Sequence, residues 1–139
     1  MRRPALIVLT LALAFVVAPV ATAAQCPRLS GVAAIQTDPS TSTGVGAAFV
    51  FHAGSAEVVE FDSALSGSTA TQHWFFDAGT VTLSEHAVNV PIPGTTLVTI
   101  DSSVDVIAGG SGALAYRGLF DLASSSGAFR VSGRLCIGS

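Results

Sequence analysis

The segment Val104–Gly118, VDVIAGGSGALAYRG, restricts the fold more than any other part of the chain. An alternating stretch runs into a glycine cluster, and a second alternating stretch follows. Successive side chains on a strand point to opposite faces, so alternation on both sides of a turn describes two antiparallel neighbours. Gly109, Gly110 and Gly112 are read as architectural, because glycine accepts positive φ and close backbone approach at a turn or bulge.

The same period of two recurs along the chain, and helical periodicity does not. Val45, Ala47, Phe49 and Phe51 share one face. Val59, Phe61, Ser63 and Leu65 share another, with Glu60 and Asp62 opposite. Trp74 and Phe76 face away from His73 and Phe75, and Val81 and Leu83 open a strand that runs to Val88 or Val90. Pro91-Ile92-Pro93-Gly94 ends that strand, since proline donates nothing to a ladder. Val98, Ile100, Val104 and Val106 lie on one face of a long strand, and Ser124-Ser125-Ser126-Gly127 is a hairpin turn by composition. Seven or eight strands with glycine- and serine-rich turns make the class all-β. The expected form is a small antiparallel β-barrel of about eight strands, with a β-sandwich as the alternative. The aromatic residues, Phe49 and Phe51 included, are read as core.

Residues 1–23 do not belong to that domain. Arg2 and Arg3 precede an apolar run from Ala5 to Val17, and Ala21-Thr22-Ala23 places small residues where a signal peptidase reads them. The run is shorter than the about 20 residues of a membrane span. Cleavage after Ala23 or Ala24 is expected, with export by the Sec route to the periplasm or beyond. Removing residues 1–23 from the 139 leaves 116, one domain over 24–139 with one core.

Without Arg2 and Arg3 the chain keeps four arginines and no lysine against nine acids, a net charge of −5. That balance excludes a nucleic-acid partner, which needs clustered cations, and disfavours an anionic membrane surface. A lysine-free, alanine-rich composition fits a high-GC bacterial source. Cys26 and Cys136, one near each end of the exported part, are expected to form a disulfide.

Chemistry is harder to read. Ser111 lies in a glycine cluster, but Ala113 stands where a nucleophile elbow needs glycine, and no helix follows. His52, His73 and His86 have no ligand spacing, so no metal and no cofactor is expected. Glu85 and His86 are neighbours on a strand and cannot form a dyad. The pairs Glu60/Asp62 and Asp101/Asp105 would titrate abnormally if they faced inward, but alternation with Val59/Phe61 and Val104/Val106 assigns them to solvent. Tyr116, the single tyrosine, and Arg117 are the candidate ligand contacts, at a cavity mouth or as caps of the turn.

The run Val106-Ile107-Ala108-Gly109-Gly110-Ser111-Gly112-Ala113-Leu114 resembles the I-x-G-G-T-G-x-F signature of the allene oxide cyclase and dirigent barrel superfamily. Arg117-Gly118 matches the A-R-G or A-x-G that follows it. Gly133-Arg134-Leu135-Cys136 is similar to the closing strand of the bacterial secreted members. The resemblance implies an eight-stranded antiparallel barrel with an apolar cavity. In plant members that cavity cyclises an oxidised fatty acid or holds phenolic radicals. Arg117 falls on an arginine for which a cavity role is proposed in dirigent proteins. The position after the glycine motif, acidic in some dirigent proteins, is Ala113 here.

The expected function is binding of a small apolar or phenolic ligand in the cavity, rather than catalysis. A cavity isomerase or cyclase, a dirigent-type protein, and a secreted structural or adhesion module with a filled core are the rivals. The oligomeric state is left open.

Overall fold

The computed structural model describes residues 25–138, so the expected leader and cleavage site lie outside the described residues. Eight strands follow one another up and down: β1 (Arg28–Asp38), β2 (Thr43–His52), β3 (Ser55–Ser66), β4 (Thr69–Phe76), β5 (Gly79–Val88), β6 (Leu97–Ala108), β7 (Gly110–Asp121) and β8 (Ser126–Ile137). Every strand pairs antiparallel with the next, and β1 pairs with β8 to close a barrel. Closure leaves no free sheet edge to aggregate. The sandwich alternative is thereby set aside.

Alternation fixes which side chains enter. Leu29 and Ala33 point inward from β1, Ala48 and Val50 from β2, and Val59, Phe61 and Ser63 from β3. Gln72, Trp74 and Phe76 enter from β4, Val81 and Leu83 from β5, and Ser102 and Val104 from β6. Leu114 and Tyr116, then Phe129, Val131 and Leu135, complete the set from β7 and β8. An eight-stranded barrel is just wide enough for such side chains to fill it or to hold one small ligand.

Two readings of the sequence are corrected. Phe49 and Phe51 share a strand face, as the period requires, but that face is the outer one, and they are 46% and 56% exposed. Phe75 is exposed on the outside as well. The interior alternative on β2 is Gly44, Gly46, Ala48 and Val50, kept small because Phe61 occupies the space: a Cβ on Gly46 would lie 2.3 Å from the Phe61 ring. With Val32, Phe49 and Val58 in one cross-strand row, the outer face of β1–β3 carries an apolar patch. The second correction is β1 itself, whose RLSGVAAIQTD composition shows no clear alternation and whose strand the sequence did not announce.

The glycine cluster makes the β6–β7 turn. Gly109 has φ +77°, and a Cβ there would lie 2.1 Å from the Thr80 carbonyl oxygen of β5. Gly112 has φ +134°, with its Cβ position 2.2 Å from the Arg134 carbonyl oxygen of β8. Close by, the β5–β6 register shifts between Thr82 and Leu83, a bulge that takes up the extra residue on β6.

The two ends of the barrel differ. At the end that holds the β6–β7 turn, Cys26 and Cys136 form a disulfide across a Cα separation of 5.0 Å. Leu135 N donates to the Pro27 carbonyl at 3.0 Å, and Gly138 N to the Gly109 carbonyl at 2.8 Å. Arg134 Nη1 donates to the Cys26 carbonyl at 3.0 Å, and His52 Nε2 donates to the Leu135 carbonyl at 2.6 Å. Buried Leu29, Phe76 and Leu135 fill this end. The other end is formed by the turns after β1, β3 and β7 and by the long 89–96 connection between β5 and β6.

Candidate functional site

The interior is filled unevenly, and this asymmetry builds the site. A layer of rings crosses the middle: Phe61 stacks on Trp74 at 4.7 Å between centroids, Trp74 lies 6.1 Å from Tyr116, and Tyr116 lies 4.5 Å from Phe129. Beyond this layer, towards the end opposite the disulfide, the inward residues shrink or turn polar. Ala70, Ala87 and Ser102 stand there, and the same strands carry Phe76, Leu83 and Val104 further towards the disulfide end. A cavity of about 360 Å³ remains there. Ile35, Leu65, Val98, Ile100, Phe120 and Phe129 form its walls. Exposed residues of the turns, Pro39, Gly67, Ser68, Asn89 and Leu122, line it too, so it opens to solvent between them.

Hydrogen bonds between connections brace the mouth. Leu122 N donates to the Thr96 carbonyl at 2.9 Å, and Thr96 Oγ1 donates to Asp121 Oδ1 at 2.6 Å. Ala87 N donates to the Ser68 carbonyl and Thr37 N to the Ser125 carbonyl, both at 2.8 Å.

One ionisable side chain lines the cavity: Glu85, on β5. It follows Val81 and Leu83 on the inward parity of its strand, and His86 therefore points out. The Glu85 Oε2 accepts from Ser102 Oγ at 2.6 Å, and Oε1 accepts from Gln72 Nε2 at 3.3 Å. Gln72 is fully buried behind it. Its Oε1 accepts from Tyr116 OH at 2.7 Å and from Trp74 Nε1 at 3.1 Å. An indole can only donate, so the amide is held with its oxygen towards the rings and its NH₂ towards Glu85. A chain of hydrogen bonds thus joins the aromatic layer to the cavity carboxylate.

Burial raises the Glu85 carboxyl above the usual carboxylate range, and the Ser102 hydrogen bond opposes only part of that rise. Tyr116 is pushed well above the usual phenol range, first by burial and then by the negative charge of Glu85. The phenol is therefore a donor at all physiological pH values.

Tyr116 and Arg117, the candidate ligand contacts, are separated by the alternation of β7. Tyr116 is wholly buried, one residue behind the cavity, and acts on it through Gln72. Arg117 is on the outer face with its side chain 77% exposed, its Nε 4.0 Å from Asp101 Oδ1. Ser111 sits at the filled end, its Oγ 3.7 Å from the Cys26 sulfur of the disulfide. Of the histidines, His52 is at the same filled end and His73 Nδ1 contacts Asp62 Oδ1 at 2.8 Å on the outer face. Among the described residues no three His, Cys, Asp or Glu side chains come together as a metal site. Glu60, Asp101 and Asp105 are exposed on the outer face, as alternation assigns them.

Comparison with known proteins finds no matching family model, no similar curated protein and no similar solved structure. The site is thus read from its own chemistry: an apolar cup with one half-buried, hydrogen-bonded carboxyl at its wall. Glu85 is the functional residue that motif searching misses, although the parity of Val81 and Leu83 already points it inward.

Proposed function

We propose that this protein is a binding module for a small, largely apolar molecule, held in the open half of the barrel. The cavity carries the reading: about 360 Å³, walled by aliphatic and aromatic side chains, with few polar groups and a single half-buried carboxyl. Ligand pockets have this composition, and this volume is at the lower end of their usual range. Taking a water's share of about 30 Å³ as the unit, it has room for roughly a dozen non-hydrogen atoms. The rigid, ring-filled floor and the braced mouth support binding into a preformed site, which lowers the ordering cost of association.

The disulfide is compatible with an oxidising compartment, and export through the N-terminal leader is part of the proposal. So is membership of the allene oxide cyclase and dirigent superfamily, supported by the glycine signature together with a closed eight-stranded barrel. A shared barrel does not transfer an activity.

Glu85 favours a second reading, a cavity isomerase in which this carboxyl moves a proton. It stands alone in the cavity, with no second acid or base beside it, so binding is the better-supported function. The open cavity counts against a module with a filled core.

Native mass spectrometry of the protein purified from its own host tests the proposal. A bound adduct of small-molecule mass is expected, displaced when Ile100→Trp fills the cavity. Identical ligand-free spectra for both proteins, together with no uptake of apolar probes, would overturn it.

A further inference from the structure

The charge around the cavity narrows the ligand class, an inference that rests on the binding reading above. Glu85 is the ionisable group of the lining, and two further acids, Asp38 and Asp121, flank the mouth beside the lining residues Thr37, Pro39, Phe120 and Leu122. No cation of the described residues answers them. Arg28 and Arg134 are cross-strand partners at the filled end. Arg117 and Arg130 are cross-strand partners on the outer face. His52 is at the filled end, and the chain has no lysine.

The immediate surroundings of Glu85 show the same imbalance. On β4 and β6, which flank it, the inward neighbours are Gln72 and Ser102, both neutral donors. The titratable residues of those strands, His73, Asp101 and Asp105, stand on the outer face, as does His86 on β5. Across the barrel Tyr116 is the titratable group that feels its charge, and it is neutral. A carboxylate offers about four lone-pair directions. Two hydrogen bonds from the protein leave others available on the cavity side.

We propose that the cavity is selective for an apolar amine, with its protonated nitrogen against the Glu85 carboxylate and its hydrocarbon part against Ile35, Leu65, Ile100 and Phe129. A carboxylate away from bulk water is costly unless it is paired. An ammonium brought by the ligand supplies the missing charge and donors, and the acids at the mouth favour its approach. An anionic head meets three acids and no compensating cation. A neutral hydroxyl gains one hydrogen bond without the charge pairing.

Calorimetric titration with octylamine, octanol and octanoate, which share one alkyl chain, tests the selectivity. At about pH 7.5 octylamine is expected to bind ~10-fold more tightly than octanol, and octanoate at least ~10-fold more weakly than octanol. Glu85→Gln should bring octylamine to within ~3-fold of octanol. Acidifying the wild-type protein should erase the amine preference in the same way, a measurement that does not depend on the variant folding. Octanol binding with no amine preference, or a preference that survives both E85Q and acidification, overturns the selectivity but leaves the binding reading intact. If none of the three binds, both fail.

Discussion

At the residue scale, Gln72 is the pivot of the interior. One amide oxygen receives the Tyr116 and Trp74 donors, and the NH₂ turns towards Glu85. Gln72→Leu keeps the volume but strands two buried donors, each costing about 1–3 kcal/mol. A loss of roughly 2–6 kcal/mol in urea unfolding is expected; a loss under ~1 kcal/mol would show that the network contributes little. Glu85 makes a pH prediction of definite sign. Its carboxyl titrates higher in the folded state than its ordinary value of 4.5, so the folded protein binds this proton more tightly than the unfolded chain. The stabilisation this confers is complete below about pH 4.5 and is lost as pH rises through the folded value. Asp38 and Asp121 are held below the usual range by hydrogen bonds, chiefly from Ser40 and Thr96, and act in the opposite sense. They are common to both proteins and cancel in a comparison. The melting temperature of Glu85→Gln relative to wild type should therefore climb between about pH 4 and about pH 8. A flat difference would mean that Glu85 titrates normally.

At the element scale, the β6–β7 turn depends on backbone closeness as much as on dihedral angle. Gly109→Ala forces a Cβ to 2.1 Å from a carbonyl oxygen of the neighbouring strand at a positive φ. Gly67, at φ +63°, has open space instead. Gly67→Ala should cost about 1–2 kcal/mol, the left-handed penalty alone, and Gly109→Ala clearly more; equal losses by thermal unfolding would refute the distinction. Strands were legible where alternation combined with bulk, as in Trp74/Phe76 or Val104/Val106. Arg28–Asp38 was not, because its glycine and alanines give no contrast between faces. Alternation also says which residues share a face, not which face is inside. On β2 the phenylalanines face solvent because Phe61 from β3 takes the interior volume, a tertiary fact that no local pattern carries. The cavity was hidden for a related reason: its lining is gathered from seven strands and the turns between them, a juxtaposition that no local pattern carries. Local alternation had placed Leu65, Val98, Ile100 and Glu85 on their strand faces, but not together around a cavity.

At the scale of the whole molecule, the barrel is sealed by one pairing, β1 with β8, and the disulfide ties the segments next to both strands. The cysteines are 110 positions apart. The loop-entropy account gives such a link about 4.7 kcal/mol as an upper figure. A Cys26→Ser/Cys136→Ser double variant should lose stability of that order, and its β1–β8 amide protons should lose the most protection against exchange. Uniform loss of protection across all eight strands would show that closure and core unfold as one unit instead.

The up-and-down course has a practical corollary. With an even number of strands, the first residue of β1 and the last of β8 emerge on the same side, beside the disulfide and away from the cavity. Anything joined to either terminus of the barrel, whether a tether, a surface or a fused domain, leaves the mouth pointing outward and unobstructed. The turns around that mouth are free of chain ends, so their sequences can be exchanged to retune what enters without reopening the seam.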